Sequence, residues 1–141
     1  MPGILVGIDG SAHSQRALEW AAREAAVHHT SLTVLTVHQA VAGFWGGTLH
    51  YQGDESLVEK ARAAAQAETD KVLSGLDSRP TSVTVEAVNG IPAEEILNAG
   101  ADADMIVLGS RGGGGWSRLL LGSVSSSVAE HAKVPVTILP A

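Results

Sequence analysis

The sequence predicts an α/β fold, a parallel sheet of five strands with helices on both faces, and three observations carry that expectation. Five short apolar runs, at 4–8, 32–38, 82–88, 105–108 and 135–139, are separated by segments whose apolar residues return every three or four positions. The order is therefore βαβαβαβαβ, and strands separated by helices imply right-handed crossovers in a parallel sheet. The third observation is size and composition: 141 residues, 45% hydrophobic and 17% charged, suit one domain over residues 1–141 with a single sizeable core.

Each element has its own local cause. Residues Ile4 to Ile8 form an apolar run between Gly3 and the turn residues Asp9, Gly10 and Ser11, as expected of a strand buried on both faces. A helix follows from Ala12 to His29, with Ala17, Leu18, Ala21, Ala22 and Ala25 on one face and Ser11 placed as its N-cap. Leu32 to His38 is rich in β-branched residues and leads into a long loop from Gln39 to Gly53 that contains four glycines, Phe44 and Trp45. From Asp54, a plausible N-cap, to about Leu76 a stripe of Leu57, Ala61, Ala64, Ala65, Val72 and Leu76 predicts an amphipathic helix. Ser82 to Val88 shows a weaker alternation, expected of a strand at the sheet margin. Pro92 at a first helical position, Glu94 and Glu95 in the first turn and Gly100 near the end bracket a short helix from Pro92 to Ala99. Met105 to Leu108 is the fourth strand. Ser123 to Ala132 is a helix with Val124, Val128 and Ala132 spaced by four, and Pro135 to Leu139 is the last strand.

Composition excludes several classes of function. A formal net charge of -6 with no lysine run or basic face argues against nucleic acid or an anionic membrane as partner. With no cysteine, disulfides, thiol catalysis and cysteine-ligated zinc are ruled out. His13, His50 and His131 have no metal-ligand spacing, and His28 and His29 near a helix end are explained by the helix dipole and exposure, so no metal site is expected. The amino terminus MPGILVGIDG lacks a basic and then long apolar segment, and no run approaches the ~20 residues that span a bilayer. The expectation is a cytoplasmic protein.

The chemistry-bearing segment runs from Gly109 to Ser123, GSRGGGGWSRLLLGS, after the fourth strand and into a helix. Ligands of open α/β sheets bind at the carboxyl ends of the strands, and a glycine-rich turn before a helix start presents backbone N–H groups to an anion. Phosphate is the expected guest. A Walker loop needs lysine before its serine or threonine, whereas Leu121 and Gly122 precede Ser123. A dinucleotide fingerprint needs a third glycine in register after the first strand, and only Gly7 and Gly10 stand there. Each candidate residue also has a plainer explanation: Asp9 as a turn former, Ser123 as an N-cap, and the glycines as packing and turn residues.

The spacing that fits is Gly109, two residues, Gly112, nine residues, Gly122 and Ser123. In this the chain resembles the universal stress protein family, in its ATP-binding branch. The likeness extends over VGIDGSAHSQRAL, NGIPAEEIL, IVLGSRG, LLLGSVSSSVAEHA and VPVTILP, in family order. The resemblance implies a three-layer αβα, Rossmann-like sheet of the adenine nucleotide alpha hydrolase type, in the order 3-2-1-4-5. It implies ATP, with or without Mg²⁺, as ligand. Asp9 and the neighbouring Gly10 would meet the ribose or phosphates, and Val37, or His38 if the register is offset by one, would offer its backbone to adenine. Gly109, Gly112, Gly122, Ser123 and Val124 would wrap the phosphates; Arg111 and Arg118, by their position in the same loop, are candidates for compensating charge. It further implies a homodimer through the last strand, to which the apolar segment Val134 to Leu139 lends physical support as an unpaired sheet edge. Binding rather than catalysis is expected, because no catalytic lysine, arginine finger or magnesium-ligand set can be recognised. Rival readings are ADP or cyclic AMP as ligand, slow ATP hydrolysis in the same pocket, and a dimer that binds no nucleotide.

Overall fold

The computed structural model describes residues 3–39, 54–110 and 122–140. Along it follow β1 (Gly3–Ile8), α1 (Ala12–Val27), β2 (Ser31–Gln39), α2 (Asp54–Ser74), β3 (Val83–Gly90), α3 (Pro92–Ala99), β4 (Met105–Gly109), α4 (Ser123–His131) and β5 (Val136–Leu139). All five strands lie in one sheet, every neighbouring pair is parallel, and the order is β3-β2-β1-β4-β5. The chain thus winds outward from β1 to one edge, returns to the centre and winds to the other. As the alternation of 82–88 predicted, β3 is an edge strand.

Strand periodicity sorts the core into two layers. Ile4, Val6, Ile8, Leu32, Val34 and Val107 face α1 and α2, where Ala17, Leu18, Ala21, Ala22 and Ala25 let α1 lie close on the sheet. Leu5, Leu35, Ile106 and Leu108 face the other way, against Ile96 of α3 and Val128 of α4. Burial of β1 along its whole length follows from its central place between the two layers. Each fully buried Leu, Ile or Val contributes about 1.5–3 kcal/mol of transfer free energy, so the central strands anchor the molecule.

Several boundaries differ from expectation, each for a local reason. α1 stops at Val27 rather than His29, because His29 adopts a left-handed φ of 52°. There its N–H donates to the Ala26 carbonyl at 3.2 Å and that of Thr30 to the Ala25 carbonyl at 2.9 Å, closing the helix in a Schellman turn without glycine. α2 ends at Ser74, and its inward stripe runs through Ala65, Thr69, Val72 and Leu73, leaving Leu57 47% exposed. Thr69 escapes a hydrophobic count, yet it is buried because its hydroxyl donates to the Ala65 carbonyl at 2.7 Å. β2 extends through Gln39, which pairs with Gly90, so Gln39 belongs to the strand and not to the loop after it. Phe44, Trp45 and the rest of residues 40–53 lie outside the described residues.

Candidate functional site

Strand order locates the site. β1 and β4 are neighbours, but α1 leaves β1 toward one face while the helix after β4 lies on the other, so a crevice opens between their carboxyl ends. A cavity of about 410 Å³ occupies that place. One side is apolar, formed by Leu35 and Val37 of β2, Leu108 of β4, and Pro92 and Ile96 of α3. The opposite side is polar, formed by Asp9, Ser14, Gly109 and the start of α4 from Gly122 to Ser125.

The turn after β1 is held by short-range hydrogen bonds. Asp9 is exposed, and its Oδ1 accepts from the Ser11 N–H at 2.9 Å, while Asp9 N–H donates to Ser14 Oγ at 3.2 Å. The plain turn-forming role of Asp9 therefore exists, and it leaves the residue facing the cavity. Ser11 caps α1 as expected, its Oγ accepting from the Ser14 N–H at 3.2 Å. Gly10, at φ +83°, supplies a left-handed conformation that a side chain would strain. It shapes the turn without lining the cavity.

The polar side of the cavity is mostly backbone. Gly122, extended at φ -70° and ψ 167°, is the N-cap of α4 and Ser123 is its first helical residue, which corrects the expectation that Ser123 caps the helix. The cause is the Ser110 carbonyl, which accepts from the Gly122 N–H at 2.5 Å and from Ser125 Oγ at 2.9 Å. These bonds pin the start of α4 to the end of β4. The first intrahelical bond is made by the Ser126 N–H to the Gly122 carbonyl at 2.9 Å. The N–H groups of Ser123, Val124 and Ser125 precede it, and among the described residues none has a partner. Three donors with no partner among the described residues therefore border the cavity at a helix start, at the positive end of the helix dipole. Gly109 makes room for protein: a Cβ there would lie 2.8 Å from the backbone of His13, so its missing side chain lets α1 approach β4.

One titration is shifted nearby. Burial, and next to it the charge of Asp9, push the carboxyl of Glu68 on α2 above the ordinary glutamate range. Among the described residues, no three His, Asp or Glu side chains are grouped to hold a metal ion, and no helix is long and apolar enough to cross a membrane.

Of the residues singled out from sequence, Asp9, Val37, Gly109, Gly122, Ser123 and Val124 border the cavity together. Gly10 does not line it, and Arg111, Gly112 and Arg118 lie outside the described residues. Ser14, Gln39, Pro92, Ile96 and Ser125 also line it and had not been singled out. Pro92 and Ile96 were legible as one face of a short helix, four residues apart, but only the sheet order reveals that this face looks into the crevice.

Comparison with known proteins gives a consistent picture. The sequence profile described as the Universal stress protein family matches residues 2–140. A universal stress protein of Mycolicibacterium smegmatis is 36% identical over 139 residues, covering 97% of this chain and 47% of that protein. The chain spans about half the length of the curated relatives it matches. Among solved structures, universal stress protein UspA from Lactobacillus plantarum superposes with a TM-score of 0.77 at 28% identity, covering 98% of this chain and 97% of that one. Two others share the fold: a universal stress protein in complex with cAMP (TM-score 0.67, 24% identity, 98% and 95% covered) and one from Archaeoglobus fulgidus in complex with dAMP (0.65, 22%, 98% and 97%).

Proposed function

Because this chain belongs to the universal stress protein family, we propose that it binds ATP in the crevice between β1 and β4, and acts through that binding as a cytoplasmic stress-response module. The observation that carries the reading is the two-sided cavity, with an apolar wall at one end and, at the other, three amides that have no partner among the described residues. A nucleotide has the same polarity, a flat apolar base at one end and a polyanion at the other. That two structural neighbours hold adenine nucleotides in this fold supports the choice of base.

In this reading the adenine lies between Val37 and the Pro92–Ile96 face of α3. β2 runs three residues past Thr36, the last residue it pairs with β1, so the backbone of Val37 to Gln39 has no strand partner on the β1 side. That backbone meets the 6-amino and N1 edge of the base. Asp9 accepts from the ribose hydroxyls, which also keeps its charge off the phosphates. The phosphates sit at Gly109 and at the N–H groups of Ser123 and Val124, with Gly112 and Arg111 completing the enclosure and Mg²⁺ accompanying the triphosphate when present.

Titration calorimetry with ATP, ADP, AMP and cyclic AMP, with and without Mg²⁺, tests the reading. Micromolar ATP binding that Gly122→Val abolishes is expected; no heat with any of the four nucleotides removes the nucleotide from the crevice. Cyclic AMP binding more tightly than ATP replaces one ligand by the other. Phosphate release with Mg²⁺ is expected to stay negligible, and robust release lost in Asp9→Ala contradicts action by binding alone.

The same reading includes a homodimer through β5, the edge strand of half-buried residues Val136–Leu139. Light scattering at micromolar concentration is expected to give twice the monomer mass, falling to the monomer when residues 134–141 are removed. A monomer in both cases defeats it.

A further inference from the structure

At the apolar end of the cavity one lining residue is out of keeping with the rest. Leu35, Val37, Pro92, Ile96 and Leu108 offer only hydrocarbon there, whereas Gln39 offers a carboxamide. Strand alternation puts Gln39 on the same face of β2 as Leu35 and Val37, the face toward α3. Its backbone position is set by pairing with Gly90, which presents no side chain to compete for the amide. A Cβ at Gly90 would stand 2.7 Å from Glu95 Oε1, so a side chain there would displace the glutamate carboxylate. Gln39 makes no side-chain hydrogen bond among the described residues, and it is exposed. A strand-fixed carboxamide with no partner among the described residues therefore borders the apolar end of the cavity.

We infer that Gln39 is a specificity-determining residue that reads the base: its carboxamide oxygen accepts from the 6-amino group of adenine and its N–H donates to N7. This rests on the nucleotide reading above. There the strand backbone takes the N1 side of the 6-amino group, which leaves the second amino proton and N7 for a side chain. A carboxamide matches that pair with one acceptor and one donor. Guanine offers two acceptors, O6 and N7, on the same edge, so the Gln39 oxygen would face a lone pair. The preference for adenine over guanine thus has a named source, and one independent of the phosphate end.

The test removes either partner of the proposed bond. Wild-type protein and Gln39→Ala are titrated with ATP, GTP and 7-deaza-ATP, in which a C–H replaces N7. Wild type is expected to bind 7-deaza-ATP about tenfold more weakly than ATP, and GTP more weakly still. Gln39→Ala is expected to bind ATP and 7-deaza-ATP alike, both near the wild-type value for 7-deaza-ATP, with a narrowed gap to GTP and an unchanged melting temperature. Equal binding of ATP and 7-deaza-ATP by wild type, or an undiminished difference in Gln39→Ala, overturns the assignment while leaving ATP binding in place. Absence of binding by wild type to any of the three takes away the nucleotide reading itself, and Gln39's role with it.

Discussion

The two ends of the cavity are built by different means. At the β2–α3 end the wall is side chain: Leu35, Val37, Pro92 and Ile96 shape it by bulk, and Ile96 is also part of the core. At the β4–α4 end the wall is backbone: Gly109, which lacks a side chain, and the N–H groups of the first turn of α4, which lack partners among the described residues. The first end should respond to changes of volume, with stability and binding falling together. The second should respond to changes of backbone, and there the two can be separated.

The largest effect is expected at the side-chain end. Ile96 is 4% exposed and packs under β1 and β4, so Ile96→Ala removes buried methylenes and leaves a space at the cavity wall. A loss of about 2–4 kcal/mol of unfolding free energy is expected in urea denaturation. Retention of full stability would mean that α3 packs on the sheet without it, and that this wall is not core.

Gly109→Ala comes next, because it places a methyl group 2.8 Å from the His13 carbonyl carbon and oxygen. Backbone cannot move aside as a rotamer can, so α1 must shift from β4 at a cost of about 1–3 kcal/mol. A thermal melt that does not move would show that α1 has slack at its first turn.

The cleanest separation is available at Ser123. As the first helical residue of α4 it stands where proline is tolerated, and Gly122 before it is extended, as a residue preceding proline must be. Ser123→Pro therefore deletes one N–H and leaves the helix intact. ATP affinity is expected to fall by about 1.5 kcal/mol, roughly tenfold, with the melting temperature unchanged, while Ser123→Ala changes affinity less than threefold. The reverse order in calorimetry, with alanine the more harmful, would make the hydroxyl and not the backbone the contact.

The same contrast explains what is legible in the sequence alone. Strand and helix identities were legible throughout, because the apolar runs at 4–8 and 105–108 and the alanine stripe of α1 are periodic signals that packing only reinforces. The glycines at 109 and 122 and Asp9 were legible as a motif. Ser125 and Ser14 were not, since each acts through a hydrogen bond, to the Ser110 carbonyl in one case and from the Asp9 N–H in the other, that no spacing announces. Gln39 was hidden differently: a polar residue before a glycine-rich stretch reads as loop, and only its pairing with Gly90 makes it strand. Pro92 and Ile96 needed the sheet order, which placed α3 over the crevice. Leu57 shows the opposite failure, an apolar residue on the expected stripe that stays exposed because the inward face of α2 is carried by Ala65, Thr69, Val72 and Leu73.

The smallest expected effect lies beside the polar end, where Glu68 has its carboxyl pushed above the ordinary value of 4.5 first by burial and then by Asp9. With the folded pKa above the unfolded one, the native state binds more protons between the two values, so stability is lost as pH rises from about 4.5 through the folded value. Above that window the penalty is constant. Glu68→Gln removes it, so this variant is expected to be slightly more stable than wild type at pH 7 and indistinguishable from it at pH 4. The charge of Asp9 is only the second cause, so Asp9→Asn should shrink the gain without erasing it. Urea midpoints of wild type, the two single variants and the double variant at the two pH values check this. A gain from Glu68→Gln that persists at pH 4 would show that the side chain destabilises by its shape, and a gain untouched by Asp9→Asn would show that Asp9 directs its charge into the crevice alone.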